Sequence, residues 1–146
     1  MANTNSLSKI VEPFILNKIR EELHCDFEPV HTSLKLLTGG EHRFDIVSRD
    51  RSIVGDIKSN SVRQNGKVGS GVIKSIYYDI YLLTLVEAKK KMMILTNPNF
   101  YKVFSKHSAG KIPFGIDLRL IELPFDLEEL VEKDRKLARN EIGKRK

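Results

Sequence analysis

The sequence has one cysteine, Cys25, among 146 residues. A lone thiol excludes an intramolecular disulfide and a cysteine-rich zinc module, and it fits a reducing compartment better than an oxidising one. No apolar run approaches the ~18 residues that a membrane span needs. The polar opening, Met1-Ala2-Asn3-Thr4-Asn5-Ser6, lacks the apolar core of a secretory leader, so a cytoplasmic location is expected. Internal repeats and low-complexity tracts are missing too. The glycines at 66, 69 and 71 are not followed by Gly-Lys-Ser/Thr, which excludes a phosphate-cradling P-loop. His24, His31, His42 and His107 show no metal-ligand spacing, and Cys25 has no triad context.

Acid is also missing from one stretch. Between Asp56 and Asp79 there is no Asp or Glu, whereas Lys58, Arg63, Lys67 and Lys74 are all basic. The chain carries a net charge of +6, yet its first 56 residues hold seven basic and nine acidic groups. The excess is therefore confined to the later part. A one-signed stretch of this kind attracts polyanions and suits nucleic acid. The alternative is a solvated basic loop without a partner.

What remains is a globular composition, 40% hydrophobic and 30% charged. The length suits one domain that buries a core without a metal or disulfide staple. Apolar positions Leu7, Ile10, Val11 and Phe14, then Ile15, Leu16, Ile19 and Leu23, predict a helix over the first 25 residues. The two sets face different ways, with the change of phase at Pro13. A kink there, or a helix beginning at Glu12–Pro13, is expected. Strands are predicted over Phe27 to Leu37, Arg43 to Val47 and Ile53 to Lys58, close enough together to demand an antiparallel meander. Asn60 to Gly71 reads as a mobile loop. A long helix over Val72 to Ala88 follows, then a buried strand from Met92 to Thr96. Lys89-Lys90-Lys91 reads as the cap of that helix. A short helix over Asn99 to His107, a strand over Ile116 to Leu123 and a charged helix over Asp126 to Ile142 complete an α/β sandwich around a mixed sheet. Tyr77, Tyr78 and Tyr81 are read as packing residues.

The chemistry-bearing stretch is Phe44-Asp45-Ile46-Val47 followed by Gly55-Asp56-Ile57-Lys58. Side chains alternate along a strand, so Asp56 and Lys58 share one face and Ile53 and Ile57 the other. A four-residue hairpin loop, Arg49 to Ser52, places Asp45 directly opposite Asp56. A two-residue loop leaves the carboxylates as diagonal neighbours on one face. Converging carboxylates repel unless a cation offsets them. Lys58 offers one such charge, and a hard divalent ion with oxygen ligands is the other solution. An Asp–Lys surface pair on an exposed sheet is the plain structural alternative.

In this stretch the chain resembles the PD-(D/E)xK nuclease superfamily, the restriction-endonuclease-like fold. That family's core runs helix, three-stranded meander, helix, strand, with an acid on the second strand and acid-X-Lys on the third. Asp45 matches the first acid, with Phe44 where the motif has proline, and Asp56 and Lys58 match the second acid and the lysine. The match spans residues 8–97 as a pattern, nearest to small single-domain members such as archaeal Holliday-junction resolvases and compact restriction-like nucleases. The resemblance implies a Mg²⁺-dependent endonuclease, with Mn²⁺ as a substitute, that leaves 5′-phosphate and 3′-hydroxyl ends. Asp45, Asp56 and the Ile57 carbonyl would hold the metal, and Lys58 would orient or deprotonate a water or stabilise developing charge. Many members add a first-helix glutamate. Glu12 lines up with the apolar residues Ile15, Leu16 and Ile19, whereas Glu21 falls on the polar side and Glu22 between. Glu12 is the expected residue, the alternative being that it only caps a helix starting at Pro13.

Residues 1–125 then form the nuclease-like domain. Residues 126–146, an amphipathic helix and basic tail, belong to the same domain or form a dimer contact. Arg63, Lys67 and Lys74 are expected to touch phosphates of double-stranded or branched DNA. A catalytically silent relative that grips nucleic acid or a protein is the competing class. Cutting two strands needs two sites, so a homodimer is expected. Its candidate surfaces are Leu127, Leu130, Val131, Leu137 and Ala138, or Tyr78, Leu82 and Leu85 of the middle helix.

Overall fold

In a computed structural model of the protein, residues 10–144 are described, with side chains as far as position 137. Leu7 and the side chain of Ala138 lie outside these limits. Helix α1 is Glu12–Leu23, with Pro13 in its first turn, where a missing N–H is no loss. Strands β1 (Thr32–Lys35), β2 (Glu41–Phe44), β3 (Ile46–Val47) and β4 (Ile53–Lys58) follow. Next come α2 (Ser70–Thr84), β5 (Lys90–Leu95), α3 (Pro98–His107), β6 (Ile116–Leu120) and α4 (Phe125–Lys144).

The central sheet has the order β3-β4-β5-β6 and is mixed: β3 runs antiparallel to β4, while β4, β5 and β6 are parallel. Alternation along β5 divides the core in two. Met93 and Leu95 join Val54, Ile76, Ile80, Leu83, Phe100 and Phe104 on the side covered by α2 and α3. Met92 and Ile94 join Ile46, Ile57, Ile15, Ile19 and Val131 on the side covered by α1 and α4. Both faces of β5 are thus buried, which is why its sequence is an unbroken apolar run.

Several elements differ from the expectation. The strand foreseen over Phe27 to Leu37 shrinks to Thr32–Lys35, because His31 adopts a left-handed backbone (φ 68°) within a turn closed by Thr32 Oγ1 on the Pro29 carbonyl, 2.6 Å away. The strand foreseen over Arg43 to Val47 breaks at Asp45, so β1 and β2 form a separate two-stranded sheet. The loop expected over residues 60–71 ends at Gly69, where α2 begins at Ser70, and within it Arg63 N–H reaches the Lys67 carbonyl at 3.0 Å across a turn in which Gly66 has φ 76°. Lys90 and Lys91 belong to β5, well past the end of α2 at Thr84, and do not cap that helix. Tyr77 packs on the core and its hydroxyl lies 3.0 Å from His107 Nδ1, but Tyr78 and Tyr81 are exposed. On α4, Val131 is buried and Leu127 packs beside it on the chain's own core, leaving Leu130 and Leu137 partly exposed. Leu82 is likewise buried, so each stripe put forward as a dimer contact is partly occupied within the chain.

Hairpin chemistry sets the register that matters most. Asp50 Oδ1 accepts from Ser52 N (3.0 Å), Ser52 Oγ (2.7 Å) and Ser48 Oγ (2.8 Å), and Ser48 Oγ accepts from Ile53 N (2.9 Å). Those hydroxyl and amide donors hold the Asp50 carboxyl down at about 2. The loop is the four-residue one, Arg49 to Ser52. Ile46 pairs with Gly55 and Val47 with Val54, which puts Asp45 across from Asp56. Glycine is required at position 55, because a Cβ there would stand 2.6 Å from the Met92 carbonyl oxygen and 2.7 Å from Met92 Cγ. Gly55→Ala is expected to force β4 away from β5 and to destabilise the protein by about 1–3 kcal/mol. Urea unfolding checks this, and a variant as stable as the parent would mean the two strands separate freely.

Candidate active site

The site lies where β4 emerges beside the break between β2 and β3. At Asp45 the ladder is carried on by side chains. Asp45 N–H donates to Asp56 Oδ1 at 3.2 Å, and Ile57 N–H donates to Asp45 Oδ2 at 2.8 Å. Each carboxylate is thereby fixed by a main-chain amide of the opposing strand. The expected pair is brought together, and Ile57 supports it through its backbone.

Glu12 joins them from α1. It is buried, and α1 begins at Glu12 itself, with Val11 at the N-cap and no side-chain capping bond, so Glu12 is not the cap of a helix starting at Pro13. Its Oε2 lies 2.8 Å from His31 Nε2, and His31 Nδ1 lies 3.3 Å from Asp45 Oδ1, so the imidazole bridges the two acids. A non-glycine residue in the left-handed region costs energy, and such residues gather at functional sites. Lys58 sits on the face of Asp56, as alternation requires, and its ammonium is ion-paired with Asp79 of α2.

Electrostatics register the crowding. Burial and then the charge of Asp45 push the Asp56 carboxyl up to about 8. Burial and then Asp45 push Glu12 up to about 7, with His31 opposing. Asp45 itself is raised by burial, against the pull of the Ile57 amide. Asp56 is 5% exposed, and its Oδ2 has no hydrogen-bond partner among the described residues. A buried carboxylate oxygen without a donor is costly. A divalent cation would satisfy it, since hard ions take carboxylate oxygens; Asp45 lies across the strands from Asp56, and Glu12 is joined to Asp45 through His31.

No family model, no curated protein and no solved structure matches the chain.

Three neighbours were not legible as site residues from spacing. His31, Glu12 and Asp45 form one group with ligand atoms within 4.8 Å of one another, and His42, Asp56 and Asp79 form another. His42 alternates with Phe44, which is fully buried, so its inward orientation had a signal in the strand pattern. Asp79 falls on the same helical stripe as Ile76, Ile80 and Leu83, an acid amid apolar positions, and that was a signal as well. His31 had none, since only the turn brings it in. Arg63, Lys67 and Lys74 are all exposed, the first two on the loop after β4 and the third on α2. Glu21 is exposed, and Glu22 pairs with Arg119 at 2.7 Å, away from the acids.

The raised carboxyls have a consequence for stability. The folded state holds protons that the unfolded chain has released, so stability falls as pH rises from the ordinary carboxylate range through about 7 and 8. In chelator, Asp56→Asn is expected to melt several degrees above the parent at pH 8.5 and to lose that advantage near pH 4. A melting difference that is flat across this range would show that Asp56 carries its charge without strain.

Proposed function

We propose that the protein is a divalent-metal-dependent nuclease hydrolysing phosphodiester bonds in DNA, of the PD-(D/E)xK type. The observation that carries this reading is Asp56, a buried acid whose Oδ2 has no partner among the described residues, set across the strands from Asp45, with Lys58 on its own face and Glu12 joined to Asp45 through His31. The element order supports it: α1, then β1, the broken β2–β3 strand and β4, then α2 and a parallel β5, follow the helix, meander, helix, strand sequence of that superfamily.

Asp45 and Asp56, with the Ile57 carbonyl, would hold Mg²⁺, and Glu12 would approach it from α1. When bound, the ion supplies Lewis-acid polarisation of a phosphate and lowers the pKa of a water. The chain's own residues do the rest. The amides of Asp45 and Ile57 hold the two carboxylates in place, so no reorganisation is needed during reaction. An ammonium paired with a carboxylate donates rather than accepts, which favours Lys58 as the group that orients water or stabilises charge on phosphorus oxygens over Lys58 as a base. Glu12 and His31 close the α1 side of the cluster.

A panel of duplex, flap, junction and single-stranded substrates with Mg²⁺ or Mn²⁺ tests the reading. Cleavage of at least one is expected, with Asp56→Ala reducing it roughly 100-fold or more, since even outer-shell losses at metal sites reach that size. Lys58→Ala should cost roughly 10²–10³. Intact substrates throughout, or full activity in Asp56→Ala, would refute the proposal.

Arg63 and Lys67 stand opposite each other across the Gly66 turn, exposed beyond the end of β4. As phosphate contacts they would each contribute roughly one unit to the salt dependence of duplex binding. Arg63→Ala/Lys67→Ala should therefore flatten the plot of log affinity against log salt by about two units. An unchanged slope would leave these residues as plain solvated charge.

A further inference from the structure

We propose that His42, Asp56 and Asp79 form a second cation site, one that takes a first-row transition ion such as Mn²⁺ in preference to Mg²⁺. It rests on the nuclease reading only in sharing Asp56 with the site described above. Three elements build it: β2 supplies His42, β4 supplies Asp56 and α2 supplies Asp79. A ring nitrogen of His42 and one carboxylate oxygen from each acid lie within 4.8 Å of one another. Three donors at that separation leave room for an ion among them after small inward movements, because metal–ligand bonds are about 2.0–2.2 Å.

Two independent observations point to a ligand. Asp56 is 5% exposed, and while its Oδ1 receives the Asp45 amide, its Oδ2 receives nothing. His42 is half-buried, its ring set edge-on against Phe44 at 4.8 Å, and its nitrogens have no hydrogen-bond partner among the described residues. His31 differs in this respect, because both of its nitrogens already face carboxylates. A buried acid with an idle oxygen beside an imidazole with idle nitrogens is what a metal ligand set needs.

The donor set decides the class of ion. Mg²⁺ takes oxygen ligands and keeps its waters, whereas an imidazole shifts preference toward Mn²⁺, Fe²⁺, Co²⁺ or Zn²⁺. Asp79 also explains what holds the site together without an ion, since the Lys58 ammonium is paired with it. An ion drawing on Asp79 competes with Lys58 for that carboxylate, so occupation of the site and the position of Lys58 are linked.

Pulsed electron paramagnetic resonance of Mn²⁺ bound to the full chain tests this directly, because imidazole coordination imposes a ¹⁴N modulation on the signal. The expected result is a ¹⁴N modulation that persists in His31→Ala and is lost in His42→Ala. His42→Gln, which keeps a polar side chain of similar reach on β2, should lose it too. Absence of nitrogen modulation in the parent would overturn the proposal. So would a modulation that survives both His42 variants, or one that disappears with His31→Ala instead. Asp45→Ala separates this result from the nuclease reading: it should abolish cleavage while the ¹⁴N modulation remains. Failure of every substrate to be cut, with the modulation present and dependent on His42, would remove the nuclease reading and leave this site standing.

Discussion

Two carboxylates occupy one cross-strand position inside the protein, and the arrangement around them follows from that constraint. Asp45 and Asp56 repel, and burial deprives them of water. Their compensation is local. Each takes one amide proton from the facing strand, His31 reaches Asp45 from a turn, and Lys58 stands on the same face as Asp56. Ordinary ladder bonds cannot coexist with this exchange at Asp45, so the strand breaks there and the sheet divides. The deficit that persists is an oxygen on Asp56 with no hydrogen-bond partner among the described residues.

Precision in the surrounding scaffold serves the same end. A one-residue slip of β3 against β4 would send Asp45 to the opposite face from Asp56. The Ser48–Asp50–Ser52 network removes that freedom by satisfying the hairpin's polar groups in one arrangement. On the other edge of β4, the close approach of Gly55 to Met92 ties the strand to β5, buried on both faces. Asp56 thus sits between two fixed registers.

The legible part of this architecture was the part carried by short-range pattern. Alternation placed Asp56 and Lys58 together and kept Asp45 on their face for either a four- or a two-residue loop, because both rules act over a few residues, and the structure selects the four-residue loop. Glu12 was legible through helical phase. The α/β layering and the mixed sheet followed from the order of apolar periods. What was not legible came from tertiary approach. His42 and Asp79 are 37 positions apart in the chain and meet only because β2 and α2 cover the same end of β4. His31 enters through a left-handed turn that no periodicity announces. The strand foreseen before it failed for the same reason, since a turn stabilised by one threonine hydroxyl outweighed the β-formers around it.

Arg135 of α4 donates to the Ser59 carbonyl, the residue after Lys58, while Glu128 and Glu132 hold its guanidinium at 2.9 Å each. The last helix therefore grips the outgoing end of the strand that bears Asp56 and Lys58. The start of α4 resembles an appendage when counted along the chain, yet mechanically its Glu128, Glu132 and Arg135 are a clasp on the strand that bears Asp56 and Lys58. Shortening the protein from its C-terminus would remove no acid and no lysine from the cluster, but it would release the strand on which two of them are mounted. The smallest piece of this chain that keeps the cluster anchored is thus longer than the piece that carries its acids and lysine.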